Sequence, residues 1–170
     1  MSVTPEQLNQ IERLAYAGNL KAQFNLGEIY FDLKEFEKSI FWHRRAAENG
    51  YADSQCAVGL ELYHGVTGWV KVDHYAAVKW YKMATNQGHI LAMINLAGCY
   101  LGGNGVFKDP VEAFALYYLA SKDFSSSYNN ICVDIVRKLE VNLNPSQVQA
   151  ARFRSMEIEA LIKSRIYFIT

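Results

Sequence analysis

The residues of this chain whose types could do chemistry are four histidines, three cysteines, a glycine-rich tetrapeptide and a serine run. A metal needs imidazole, thiolate or carboxylate ligands brought together, usually announced by close pairs such as His-x3-His or Cys-x2-Cys. His43, His64, His74 and His89 form no such pair, and neither do Cys56, Cys99 and Cys132. One set could still close on a metal: His64, Asp73 and His74 flank a single loop. A metal-dependent enzyme or regulator built on these three is the rival to a non-catalytic reading. Gly102-Gly103-Asn104-Gly105 invites comparison with a phosphate cradle, but such a loop leaves a strand and enters a helix with Lys and Ser or Thr. Here a helical pattern precedes it. Ser125-Ser126-Ser127 offers hydroxyls without a base or an elbow motif and is read as the opening of a helix. No catalytic residue, metal ligand or cofactor is assigned.

The cysteines are odd in number and widely spaced, and each lies in an apolar helical stretch, where a thiol packs as a small reduced hydrophobe. Lys plus Arg and Asp plus Glu are both 17, so no net field draws the protein to nucleic acid or to an anionic membrane surface. The longest basic run is His43-Arg44-Arg45. No apolar run approaches the roughly 20 residues a membrane helix needs. Met1 to Gln10 is polar, with Pro5 and Glu6 where a secretory leader is basic and then apolar. A cytoplasmic protein is the expectation.

The elements that must position any site are disclosed by an internal repeat. Ala22-Gln-Phe-Asn-Leu26-Gly27-Glu-Ile-Tyr30 returns as Ser54-Gln-Cys-Ala-Val58-Gly59-Leu-Glu-Leu62 and as Ala92-Met-Ile-Asn-Leu96-Ala97-Gly-Cys-Tyr100, with starts 32 and 38 residues apart. Each copy is followed by a small-large-small element: Ser39, Trp42 and Ala46; Ala77, Trp80 and Ala84; Ala113, Leu116 and Ala120, the large residue being aromatic in the first two. Spacings of three and four place such residues on one helical face, so each unit is a helix pair. Gly18, Gly50 and Gly88 each stand four residues after Leu14, Ala46 and Ala84, where a left-handed cap ends a helix.

These residues resemble the Sel1-like repeat family, relatives of the tetratricopeptide repeats. The pattern is small-x3-Leu-Gly-x2-Tyr, then Gly-x-Gly-Val-x2-Asp, then Ala-x2-Trp-Tyr-x2-Ala-x3-Gly. The third copy carries the loop best, in Tyr100, Gly103, Gly105, Val106 and Asp109. The second keeps Gly65, Asp73, Ala77, Trp80, Tyr81 and Gly88 with two extra loop residues around Thr67 to Val70. The first has a short Leu33-Lys34-Glu35-Phe36 turn. The resemblance implies an all-α, right-handed α-α solenoid (superhelix) of helix pairs with capping helices. As a single domain of residues 1–170 it divides into an N-terminal cap helix over 4–17, repeats over 19–50, 51–88 and 89–124, and capping helices over 125–165. Trp42, Trp80, Tyr30, Tyr81, Tyr100 and Tyr117 then belong to the packing.

Terminal repeats must cover apolar faces. Thr4 with Gln7 and Pro5 predicts a capped helix whose stripe is Leu8, Ile11, Leu14 and Ala15. Ser125 to Ser127 opens a helix with Ile131, Cys132, Ile135, Val136 and Leu139 on one face. Asn144-Pro145 with Gln147 caps a longer one with Val148, Ala151, Ser155, Ile158 and Ile162 in a stripe, widened by Phe153, Met156, Ala160 and Leu161.

In tetratricopeptide-like solenoids the first helices line the concave surface. By that resemblance a groove is expected from Phe24, Asn25, Glu28, Phe31, Cys56, Leu60, Tyr63, Ile94, Asn95 and Leu101, with the Asn25 and Asn95 amides placed to grip an extended backbone. So apolar a concavity fits a helix or peptide, unless the C-terminal helix or the Ile166–Ile169 tail fills it. The function expected is a non-catalytic protein-protein interaction module for a protein or peptide partner. Narrower alternatives are an immunity-type inhibitor of a bacterial toxin or effector, and a homodimer formed through Ile166–Ile169.

Overall fold

The computed structural model describes residues 3–123 and 127–167, the last two as backbone. Among the described residues there are nine helices and no strand, apart from an isolated Val66–Val70 bridge. They fall into two compact units, Met1–Asp73 and His74–Thr170. The second repeat is thereby divided along the chain, its first helix closing one unit and its second opening the other.

The first unit contains α1 (Pro5–Tyr16), α2 (Leu20–Asp32), α3 (Phe36–Glu48) and α4 (Ala52–His64), each packed on the next. Thr4 and Gln7 make the expected reciprocal cap with Pro5 at the first turn. Leu8 and Ile11 lie against a core of Ala15, Ala22, Leu26, Tyr30 and Trp42. Leu14 does not join that stripe and is 46% exposed. The Tyr30 hydroxyl donates to Glu12 at 2.9 Å; burial, then the Glu12 carboxylate, pushes its pKa up to about 12.

The second unit contains α5 (His74–Thr85), α6 (Ile90–Gly102), α7 (Pro110–Ala120), α8 (Asn129–Asn142) and α9 (Pro145–Tyr167). Helices α5, α6 and α7 pack in succession, and both α8 and α9 pack on α7. Ala113, Phe114, Ala115, Leu116, Leu119 and Ala120 are accordingly buried all round α7. Helix α8 begins at Asn129 after a turn at Ser127 and Tyr128, later than the serine run suggests, and Ser125 and Ser126 lie outside the described residues. Ile131 leaves its expected stripe and is 56% exposed, whereas Cys132 and Val136 are buried. Asn144 and Gln147 cap α9 reciprocally. Ala151, Ser155, Ile158 and Ile162 are its buried stripe, but Phe153, Met156, Ala160 and Leu161 do not widen it and are exposed. One helix face suffices to cover α7, so the opposite apolar residues have nothing to pack on. The Ile166–Ile169 tail, expected as a dimer contact, lies outside the described side chains.

The repeat punctuation is physical. Gly18, Gly50 and Gly88 have φ of 93°, 90° and 84°, and the residue after each donates five residues back: Asn19 to Leu14, Tyr51 to Ala46, His89 to Ala84, at 3.0, 3.0 and 3.2 Å. This is the Schellman turn, which satisfies carbonyls that a helix end leaves open. A loop-closing bond recurs as well, Asp73 N to Leu62 O at 2.8 Å and Asp109 N to Tyr100 O at 2.9 Å. The two extra residues of the second repeat are absorbed by the Val66–Val70 bridge, which lifts Trp69 into solvent. Gly105 must be glycine: its φ is 71°, and a Cβ there would overlap the His74 carbonyl.

Two glutamines repeat a role that the sequence pattern left unassigned. The Gln23 side chain donates to the Ala15 carbonyl at 3.0 Å and Gln55 to that of Ala47 at 3.1 Å, both buried. Each is the fourth residue of a first helix and ties it to the end of the preceding helix.

Candidate functional site

The most developed site in the first unit is organised by His43, in the middle of α3 and only 3% exposed. In the repeat alignment it stands where the other copies have Tyr81 and Tyr117, both buried. Its ring lies directly over Gly27 of α2, where any Cβ would collide with it, so the small residue of the repeat motif here receives a side chain rather than a helix backbone. Nδ1 is 2.8 Å from Oε1 of Glu61 on α4. Nε2 is 3.2 Å from Oε1 of Glu28 on α2, close enough for an ion pair though too poorly aligned for a hydrogen bond. Burial disfavours the charged ring, but the Glu28 and Glu61 carboxylates outweigh it and push the pKa up to about 9. Phe24 stacks on the ring, centroids 5.7 Å apart, and meets Tyr51 at a tilt.

Beside this cluster opens a cavity of about 330 Å³ lined by Glu28, Phe31, His43, Ala57, Leu60, Glu61, His64, Gly65 and Val66. It brings together Glu28, Phe31 and Leu60 of the expected groove. Phe31, 48% exposed, leans edge-on against Phe36 at its border. Phe24, Asn25 and Tyr63 are half-buried on the same two helices but do not line it; Tyr63 packs on the His64 ring. Cys56 is 2% exposed and belongs to the core rather than to a groove.

The remaining groove candidates, Ile94, Asn95 and Leu101, are half-buried on α6 in the second unit. The Asn95 Nδ2 is shielded from solvent without a hydrogen-bond partner. Helix α9 takes α7 as its main partner, and the cavity it borders, about 250 Å³, is walled by Leu96 and Tyr100 rather than by Ile94, Asn95 or Leu101. That cavity is crossed by polar groups: Arg154 grips Glu112 through Nε and Nη2 at 2.9 and 3.2 Å.

Among the described residues no three His, Cys, Asp or Glu side chains converge to hold a metal. His64 is exposed at the cavity mouth and Asp73 is exposed after its loop, while His74 starts α5. All three cysteines are buried and unbridged, and burial pushes the Cys99 thiol up to about 11, far from a reactive thiolate. No described helix is long and apolar enough to cross a membrane.

In the sequence His43 stands out only as the start of the basic run His43-Arg44-Arg45. The signal that could have found it was columnar: a histidine where sister repeats bury tyrosine, and Glu61 where they place Ile29 and Cys99.

Comparison with known proteins agrees with the architecture. The Sel1 repeat model matches residues 20–51, 52–89 and 90–123. Chitin synthase regulatory factor 3 of Schizosaccharomyces pombe is 30% identical over 128 residues, covering 72% of this chain and 14% of that protein. The Sel1-repeat-containing protein YjcO of Escherichia coli is 26% identical, covering 69% of this chain and 50% of its own. Among solved structures, a protective antigen present in uropathogenic Escherichia coli strains, displaying an SLR fold, superposes with a TM-score of 0.82 at 30% identity. It covers 98% of this chain and 36% of that one. A Sel1 repeat protein from Oxalobacter formigenes gives 0.63 at 29% identity over 69% of this chain and 49% of its own. The chain thus spans half or less of each of these relatives.

Proposed function

Because the chain belongs to the Sel1-repeat family, whose members are generally protein-interaction modules, we propose that it is a non-catalytic module that binds a protein or peptide partner through the first helices of its repeats. The observation that supports this reading is the first-unit cavity, where Phe31, Ala57, Leu60 and Val66 present apolar surface around a buried charged cluster. Such a concave apolar site with few convergent polar groups suits a ligand anchor. The His43 contacts join α2, α3 and α4, so the cavity walls are pre-organised and little ordering entropy is spent on binding. A cytoplasmic location belongs to the same reading, supported by three buried, unbridged thiols.

Affinity capture with the wild-type chain beside a Phe31→Glu, Leu60→Glu double variant tests the proposal. Both residues border the cavity and neither is fully buried, so the variant is expected to fold. Partners retained by the wild type and lost by the folded variant support it; a full set of partners surviving in the variant sinks it.

A further inference from the structure

Glu61 is the unusual wall of the first-unit cavity. Its side chain is 8% exposed, Oε1 meets His43, and Oε2 is shielded from solvent with no hydrogen-bond partner. A buried carboxylate oxygen without a donor costs free energy until one arrives. The local charge balance points the same way: Glu28 and Glu61 face one imidazolium, leaving one negative charge at the cavity wall. His43 is charged at neutral pH because the two carboxylates overcome its burial. Around this charge stand Phe31, Ala57, Leu60 and Val66. A ligand group that satisfies both features has an aliphatic stem and a cationic, hydrogen-donating head, which describes lysine and arginine. A purely apolar group would leave Oε2 bare, and an acidic one would add repulsion.

We infer that this cavity is the anchor site for one lysine or arginine side chain of a peptide partner, its stem along Phe31 and Leu60 and its head donating to Glu61. The inference rests on the interaction role proposed above and names the chemistry of the partner. The terminal torsion of a glutamate is soft and its two oxygens turn together, so an arriving donor that draws Oε2 outward also shifts the Oε1 contact with His43. Glu28, exposed at the rim, offers a second carboxylate to a guanidinium. The exposed part of Phe31 extends apolar surface beyond the mouth and receives the residues beside the anchor, a contact that a free polyamine would not make.

Random peptides of about 12 residues, displayed on phage and selected against the full chain near neutral pH, supply the probe. The expected winners share one lysine or arginine, and replacing it with norleucine weakens binding about tenfold or more. Glu61→Gln weakens the parent peptide by a similar factor and leaves the norleucine peptide unchanged, the signature of direct coupling. Because Glu61→Gln also removes the partner of His43 and can unfold this region, the norleucine arm, which alters only the peptide, keeps the test decisive. Peptides that need Phe31 and Leu60 but tolerate norleucine overturn the cation assignment and leave the interaction role standing. Peptides that bind the Phe31→Glu, Leu60→Glu variant equally well, or an empty selection, overturn both. Cadaverine binding as tightly as the parent peptide overturns the assignment to a peptide side chain.

Discussion

His43 of the first repeat reaches Glu61 of the second across 2.8 Å, while its ring covers Gly27 of its own repeat. Three helices are therefore joined by one imidazole in a position that sister repeats fill with a tyrosine.

This contact makes stability depend on alkaline pH. The folded pKa, about 9, lies above the ordinary 6.5, so the folded state holds the proton more tightly. The stabilisation is complete below about pH 6.5 and is lost as pH rises through 9, a difference worth roughly 3 kcal/mol. Urea denaturation at neutral pH and near pH 10 is expected to show a loss of that order, and Glu61→Gln flattens the dependence. An equal loss in the variant would assign the effect to other groups.

Gly27→Ala reverses the usual sign of a helical glycine substitution. Alanine gains about 1 kcal/mol from propensity in a helix interior, but its Cβ has no room beneath His43, and overpacking costs about 1–3 kcal/mol. A net destabilisation by thermal unfolding is expected. A raised Tm would mean that the ring shifts freely.

Lys34 occupies the left-handed region at φ 61°, where the short turn of the first repeat ends α2. Side chains are disfavoured there and glycine is not. Lys34→Gly is expected to stabilise the chain by about 0.5 kcal/mol after the entropy of the unfolded glycine is deducted, and a lower Tm would contradict it.

Gln55→Met removes the donor to the Ala47 carbonyl while keeping side-chain volume. That carbonyl keeps its bond from Gly50 N at 3.0 Å, so losing the second donor costs about 1 kcal/mol. The third repeat places Met93 at the same position, so an unchanged Tm would show that the column needs shape and not a donor.

Phe24→Glu and Phe31→Glu should separate folding from binding. Phe24 is stacked on His43 and tilted against Tyr51, and a carboxylate there is expected to lower the Tm. Phe31 is 48% exposed, and its variant is expected to keep its circular dichroism and Tm within a few degrees of wild type.

The sequence by itself determined the helix pairs, because small residues at fixed spacing, Schellman glycines and capping boxes act within a few residues of themselves. Ala22, Leu26, Ala46, Gly88 and Asp109 could be read in place for that reason. Sidedness in the terminal helices was less legible. An apolar residue such as Phe153 or Ile131 shows only that burial is favourable, and whether a neighbour covers it depends on which face meets α7. The cavity and its charge were decided by tertiary structure alone. His43, Glu28 and Glu61 lie on three helices and have no shared sequence period, and the pKa of His43 follows from burial and through-space carboxylates that exist only once α2, α3 and α4 have packed.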